Sequence, residues 1–219
     1  MKKFLFTALL ALLAFSCSAN KTTPAPAVAG GTSEETNALA RNEVLSVIGR
    51  DGQSKTALAF NPSSYLASEY GGKFAQVRSF EISAWLKIDS LPEKSAMPHN
   101  LIGKFNAKDA ALPSEFSLSL LNGACGTEVP TFAFFLTDEN SAFDCKQAVL
   151  SKEPVKAGSW ILVKAKWDGR YLTLFQDGVT VAREEKISPV LPYSRLPVYL
   201  GKSQISFAID GLSLNTEAL

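Results

Sequence analysis

Between Phe80 and Ile88 apolar side chains fall on every second residue: Phe80, Ile82, Ala84, Leu86 and Ile88, with Glu81, Ser83 and Lys87 between them. A period of two belongs to an extended strand with one face buried, because successive side chains point to opposite sides. Trp85 interrupts the polar face and is expected to bury against a second layer. The same alternation recurs in Phe116-Ser117-Leu118-Ser119-Leu120 and in residues 131–137, where Phe132, Phe134 and Leu136 share a side. Residues 160–167 place Ile161, Val163, Ala165 and Trp167 together, opposite Lys164 and Lys166.

Turn chemistry then orders the strands. Asp168-Gly169 and Asp177-Gly178 read as two-residue hairpin turns, since glycine tolerates the positive φ that such turns require. Residues 160–167, 170–176 and 179–184 should therefore form an antiparallel meander, with closing strands at 196–200 and 205–214. Helical periodicity shows only weakly, around residues 36–47. Many short strands with frequent turns predict an all-β fold: a two-sheet antiparallel β-sandwich of jelly-roll type.

The N-terminus carries a different message. Met1-Lys2-Lys3 precedes an apolar run from Phe4 to Phe15, broken only by Thr7. A positive segment before a short apolar one is the pattern of a secretory signal peptide. The run is shorter than the roughly 20 residues that cross a bilayer. Two cleavage readings stand side by side. Ala14-Phe15-Ser16-Cys17 resembles a lipobox, with Ala14 and Phe15 departing from its usual residues, which makes residues 1–16 the signal and Cys17 the lipidated residue. Ordinary cleavage after Ala19 would instead release a free protein. Ser18 is not the aspartate associated with inner-membrane retention, so a lipidated form is expected at the outer membrane. Residues 17–38 are small, polar and rich in Pro and Gly, and read as a tether. Residues 39–219 read as one domain.

Without Lys2 and Lys3 the chain has 20 basic groups against 21 acidic ones, so nothing in its charge favours nucleic acid. Of three cysteines, acylation of Cys17 leaves Cys125 and Cys145, which either pair as a disulfide or stay as buried thiols. Closing a ring of about 20 residues would contribute roughly 3 kcal/mol.

The segments Phe80-Glu81-Ile82-Ser83-Ala84-Trp85-Leu86-Lys87, Leu101-Ile102-Gly103-Lys104, Gly158-Ser159-Trp160-Ile161-Leu162-Val163, Trp167-Asp168-Gly169, Leu174-Phe175-Gln176-Asp177-Gly178 and Phe207-Ala208-Ile209-Asp210-Gly211-Leu212 stand in a telling order. In that order they resemble the laminin G-like jelly roll of the concanavalin A-like lectin/glucanase superfamily. Leu162 replaces the family's usual histidine, and Gly211 its usual acid. The resemblance covers about residues 55–219. It implies the sandwich fold and places Trp85 and Trp160 in the core.

Such a fold hosts lectins, adhesion modules, enzymes and spacers alike, so the chemistry must be read from residues. Retaining glycosidases need two carboxylates within about 5.5 Å, hence at i and i+2 or i+4 of a strand. No strand offers them: Asp138-Glu139 and Glu184-Glu185 are adjacent and point to opposite faces. His99 is the single histidine, beside Pro98, with no nucleophile motif to serve. No catalytic residues are therefore assigned, and the expected function is a non-catalytic envelope lipoprotein that binds a glycan or an envelope or surface protein. A structural or assembly subunit is the alternative, and a hydrolase or lyase the third reading. Tyr65, Tyr70, Tyr193 and Tyr199 are the candidates for stacking on a sugar. Calcium, the one cofactor weighed, would draw on Asn106, Asp109, Asp138, Glu139 and Asn140.

Overall fold

The computed structural model describes residues 44–218, apart from 54, 63, 69–76, 106–113, 137–143 and 186–196. Two antiparallel sheets pack face to face. The seven-stranded sheet runs in the order β1 (Val44–Val47), β2 (Ala57–Phe60), β13 (Phe207–Ala218), β4 (Val77–Ile88), β9 (Trp160–Trp167), β10 (Tyr171–Gln176) and β11 (Val179–Glu185). The six-stranded sheet runs β3 (Tyr65–Ser68), β12 (Val198–Gly201), β5 (His99–Phe105), β6 (Ser114–Leu121), β7 (Thr131–Leu136) and β8 (Ala148–Pro154). The all-β sandwich expected from the alternation is the observed fold.

The alternating residues of β4 all enter the core, which lies between the sheets. Phe80 meets Phe116 at 5.0 Å and Phe134 at 5.7 Å across the gap, and Trp167 beside it at 6.0 Å. The β9–β10–β11 meander forms as expected. Asp177 and Gly178 both take positive φ, 48° and 83°, which is the two-residue turn that matches strand twist. Asp168-Gly169 differs. Arg170 joins that loop, and the Asp168 carboxylate accepts the backbone N–H of Arg170 and of Tyr171. Those bonds hold the Asp168 carboxyl below its usual pKa, against the opposing effect of burial.

Three further expectations are corrected. Val44–Val47 is an edge strand, so the helical pattern over 36–47 does not hold there. Trp85 and Trp160 lie half-buried on the outer face of the seven-stranded sheet, outside the core. They share parity with Lys87 and Lys164, and alternation along the strand overrides the pull of a large apolar side chain. Trp167, of opposite parity, takes the core position and is fully buried.

Candidate functional site

The outer face of the six-stranded sheet gathers the features a ligand could use. One row crosses it strand by strand: Ala67 on β3, Tyr199 on β12, Gly103 on β5, Ser117 on β6, Phe135 on β7 and Ala148 on β8. The next row carries Tyr65 on β3, paired with Gly201, then Asn100 on β5 paired with Ser119. Of the four tyrosines, the structure brings two together. Tyr65 and Tyr199 form an edge-to-face pair at 5.7 Å, both half-buried, with the Lys202 ammonium 5.5 Å from the Tyr65 ring. Burial and the neighbouring Tyr65 push the Tyr199 hydroxyl above its ordinary pKa, so it keeps its proton at neutral pH. Tyr70 and Tyr193 lie outside the described residues.

Beside the tyrosines the face is small and polar. Gly103 carries no side chain. Ser117 and Ser119 are 2% and 0% exposed, and each hydroxyl lies 2.9 Å from Asn100 Oδ1 and 2.7 Å from the other. Glu115 precedes them on the same strand, 2.7 Å from the Lys104 ammonium, and both side chains are buried. So where a two-carboxylate catalyst would repeat acids along a strand, β6 reads Glu115, Ser117, Ser119, and its one acid is already ion-paired. Reading residues singly missed this cluster. The signal was the small polar run Ser117, Ser119 between apolar neighbours.

The far end of the face is closed. Leu121, Ala124, Ala133, Phe135 and Ala148 form a second, smaller core there. The Cys125–Cys145 disulfide ties the two segments that cover it, with Cα atoms 5.3 Å apart. Of the two cysteine states expected, the paired one is observed. Asn122 adds bonds to a neighbouring loop, donating from its side chain to Pro92 O at 2.7 Å and accepting from Ser95 N–H at 2.7 Å on its backbone O.

Asn106, Asp109, Asp138, Glu139 and Asn140 lie outside the described residues. Among the described residues no group of three His, Cys, Asp or Glu side chains gathers to hold a metal. Glu184 and Glu185 sit on the edge strand β11, with Glu185 2.7 Å from Arg170. Burial lowers the pKa of His99, so it stays neutral; its Nε2 is buried without a partner among the described residues.

A family model for the concanavalin A-like lectin/glucanases superfamily matches residues 60–219. The chain belongs to that superfamily. Solved structures agree on the fold. The binding domain of Paraclostridial Mosquitocidal Protein 1 superposes with a TM-score of 0.61 at 13% identity, over 80% of this chain and 43% of that one. Domain 4 of a GH43 extracellular arabinanase from Geobacillus stearothermophilus, solved with arabinotriose, gives 0.56 at 18%, over 81% and 77%. Botulinum neurotoxin type C, described as entering cells through two ganglioside molecules, gives 0.55 at 12%, over 81% and 42%. The chain thus spans less than half the length of the toxin chains. No characterised protein matches it by sequence alone.

Proposed function

We propose that this is an exported lipoprotein, held through Cys17 on the bacterial envelope, whose sandwich is a non-catalytic glycan-binding module. The observation that carries the reading is the Tyr65–Tyr199 pair beside Gly103, Asn100 and Ser117 on one sheet face. Two rings offer surfaces for the C–H face of a sugar, and the half-buried Asn100 amide, about 8 Å from Tyr199 at the Cα atoms by strand spacing and rise, is the polar group within a sugar's reach. The arabinotriose of the similar arabinanase domain and the gangliosides of botulinum neurotoxin type C are glycan ligands, which supports the class. The lipobox-like residues, the tether and the oxidised cysteine pair support export to an envelope. Acyl chains on Cys17 would supply the attachment.

The test is a glycan array probed with the mature chain, with calcium and with chelator, beside Tyr65→Ala and Tyr199→Ala. Saturable binding weakened in both variants is the expected result. Loss with chelator would add a calcium requirement and direct attention to Asn106, Asp109 and Asp138–Asn140. A blank array would sink the reading. Residues favouring a protein partner instead are Leu45 and Ile48, 47% and 61% exposed at the edge strand β1. Cross-linking in the native envelope tests that second reading. Metabolic labelling with a fatty acid, abolished in Cys17→Ala, tests the anchor.

A further inference from the structure

At one end of the sandwich the chain crosses repeatedly between the sheets. β4 leads to β5 through residues 89–98, β8 to β9 through 155–159 and β12 to β13 through 202–206, all at the end marked by Ile88, His99, Trp160 and Phe207. Residues 122–130 join β6 to β7 there. Backbone bonds tie these loops to one another and to the strand ends. Ser95 N–H donates to Asn122 O at 2.7 Å, Val155 N–H to Pro130 O at 2.8 Å, Gly158 N–H to Ile88 O at 2.8 Å and Asp89 N–H to Ser206 O at 3.1 Å.

The loops so fixed hold large apolar side chains in water. Leu91, Met97 and Val129 are 41%, 43% and 50% exposed. Exposed in this way they add little to the core, and together on adjoining loops they favour contact with something apolar. Glu93, Lys94, Glu128 and Lys156 stand exposed in the same loops, so this end carries charges of both signs.

The place where the chain arrives points to the occupant. β1 begins at Val44, which pairs with Phe60; Phe60 pairs with Phe207, and Phe207 with Ile88. The chain therefore enters the sandwich at this same end, with Leu45 47% exposed beside the point of entry. Residues 18–43 separate Val44 from Cys17, at most about 95 Å of chain. An acyl anchor at Cys17 thus leads from a bilayer to this end and keeps the two at high effective concentration.

We propose that this end of the sandwich rests on the lipid bilayer, with Leu91, Met97 and Val129 seated at the boundary of headgroups and acyl chains. The inference rests on the Cys17 anchor of the proposed function and adds the orientation of the domain. Strands run from one end of the sandwich to the other, so docking stands them upright. The outer sheet faces, with Tyr65 and Tyr199, then open sideways to a ligand.

The experiment couples the unacylated mature chain to vesicles through Cys17. Cys125 and Cys145 are paired, so Cys17 is the free thiol and reacts with a maleimide-bearing phospholipid. The vesicles are phosphatidylcholine with brominated acyl chains, which quench a tryptophan that touches them. Met97→Trp reports this end of the sandwich, and Arg170→Trp, exposed in the β9–β10 loop, reports the opposite one. The tryptophan added at 97 should lose most of its emission, and the one at 170 none. Leu91→Asp with Val129→Asp, both exposed, should leave the melting temperature unchanged and restore the emission at 97. Because the contact is apolar and the end carries both signs, added salt should not restore it. Absence of quenching at 97, equal quenching at both ends, or quenching indifferent to the aspartates overturns the proposal. So does a photo-cross-linker at 97 that captures protein instead of lipid in the native envelope. Each of these outcomes leaves the anchor and the glycan reading standing. Failure of fatty-acid labelling at Cys17 overturns the anchor and this proposal with it.

Discussion

On the outer face of the six-stranded sheet, polar side chains bond to one another. On the outer face of the seven-stranded sheet, cations lie over aromatic rings. The first pattern joins Asn100, Ser117 and Ser119. The second sets Arg50 4.8 Å from the Trp85 ring centre, Lys87 5.4 Å from Trp160, Lys164 5.7 Å from Phe175 and Arg183 4.1 Å from Tyr171. Carboxylates on this second face are engaged as well: Glu81 with Lys164 at 3.4 Å, and Asp210 with the Arg50 backbone N–H at 3.1 Å. Alkyl stems of lysine and arginine shield the large rings there. The difference teaches that the size of an aromatic side chain does not by itself mark a face for binding. Tryptophans can roof a sheet, while the smaller tyrosines flank the groups able to recognise a ligand.

The comparison can be broken by substitution. Trp167→Ala should cost about 3–5 kcal/mol, since its ring is wholly inside the core, while Trp85→Ala and Trp160→Ala on the roof should each cost well under half of that. Equal losses in chemical denaturation would refute the assignment of the latter two to the outer face. Lys104→Met leaves Glu115 buried beside an apolar chain and should lose a similar amount, about 3–5 kcal/mol; Lys104→Met with Glu115→Leu should recover most of it. A double variant as unstable as the single one would mean that the pair serves more than charge balance.

Next comes the covered end of the six-stranded face. Replacing Cys125 and Cys145 by Ala should cost roughly 3 kcal/mol and loosen the small core around Phe135, read as faster hydrogen exchange in β7 and β8. Unchanged exchange would separate the disulfide from that core. The smallest effect is the pH response of His99. Its pKa in the folded chain lies below the ordinary 6.5 because burial disfavours the charged form. The unfolded chain therefore takes up the proton first. Stability should be level above about pH 6.5 and fall as pH drops through the folded pKa. His99→Gln should flatten the profile between pH 7 and 5; an identical slope would exclude His99 as its source.

Much of the fold was legible because strand alternation is a local property. β4, β6, β7 and β9 are where the period of two placed them, and Asp177-Gly178 turns as its residue types require. β8 was not legible: Ala148-Val149-Leu150 is a continuous apolar run, because β8 buries one side in the main core and the other beneath the disulfide loop. Tyr65 and Tyr199 were legible as stacking candidates but not as a pair, since 134 positions separate them and only the β3–β12 register makes them neighbours. Of the Asn100 triad only the Ser117, Ser119 run showed in the sequence; the β5–β6 register alone brings Asn100 to it.

Residue order by itself thus determined the strands, their buried sides and the class of fold, because each depends on the chemistry of neighbours along the chain. Which strands outside the hairpin-joined meander became neighbours was decided only by the tertiary structure, and with it the Lys104–Glu115 pair and the meeting of Tyr65 with Tyr199. The physical reason is range: a side chain's parity is set within two residues, but its partners across a sheet are set by sequence-distant strands that meet only when the core closes.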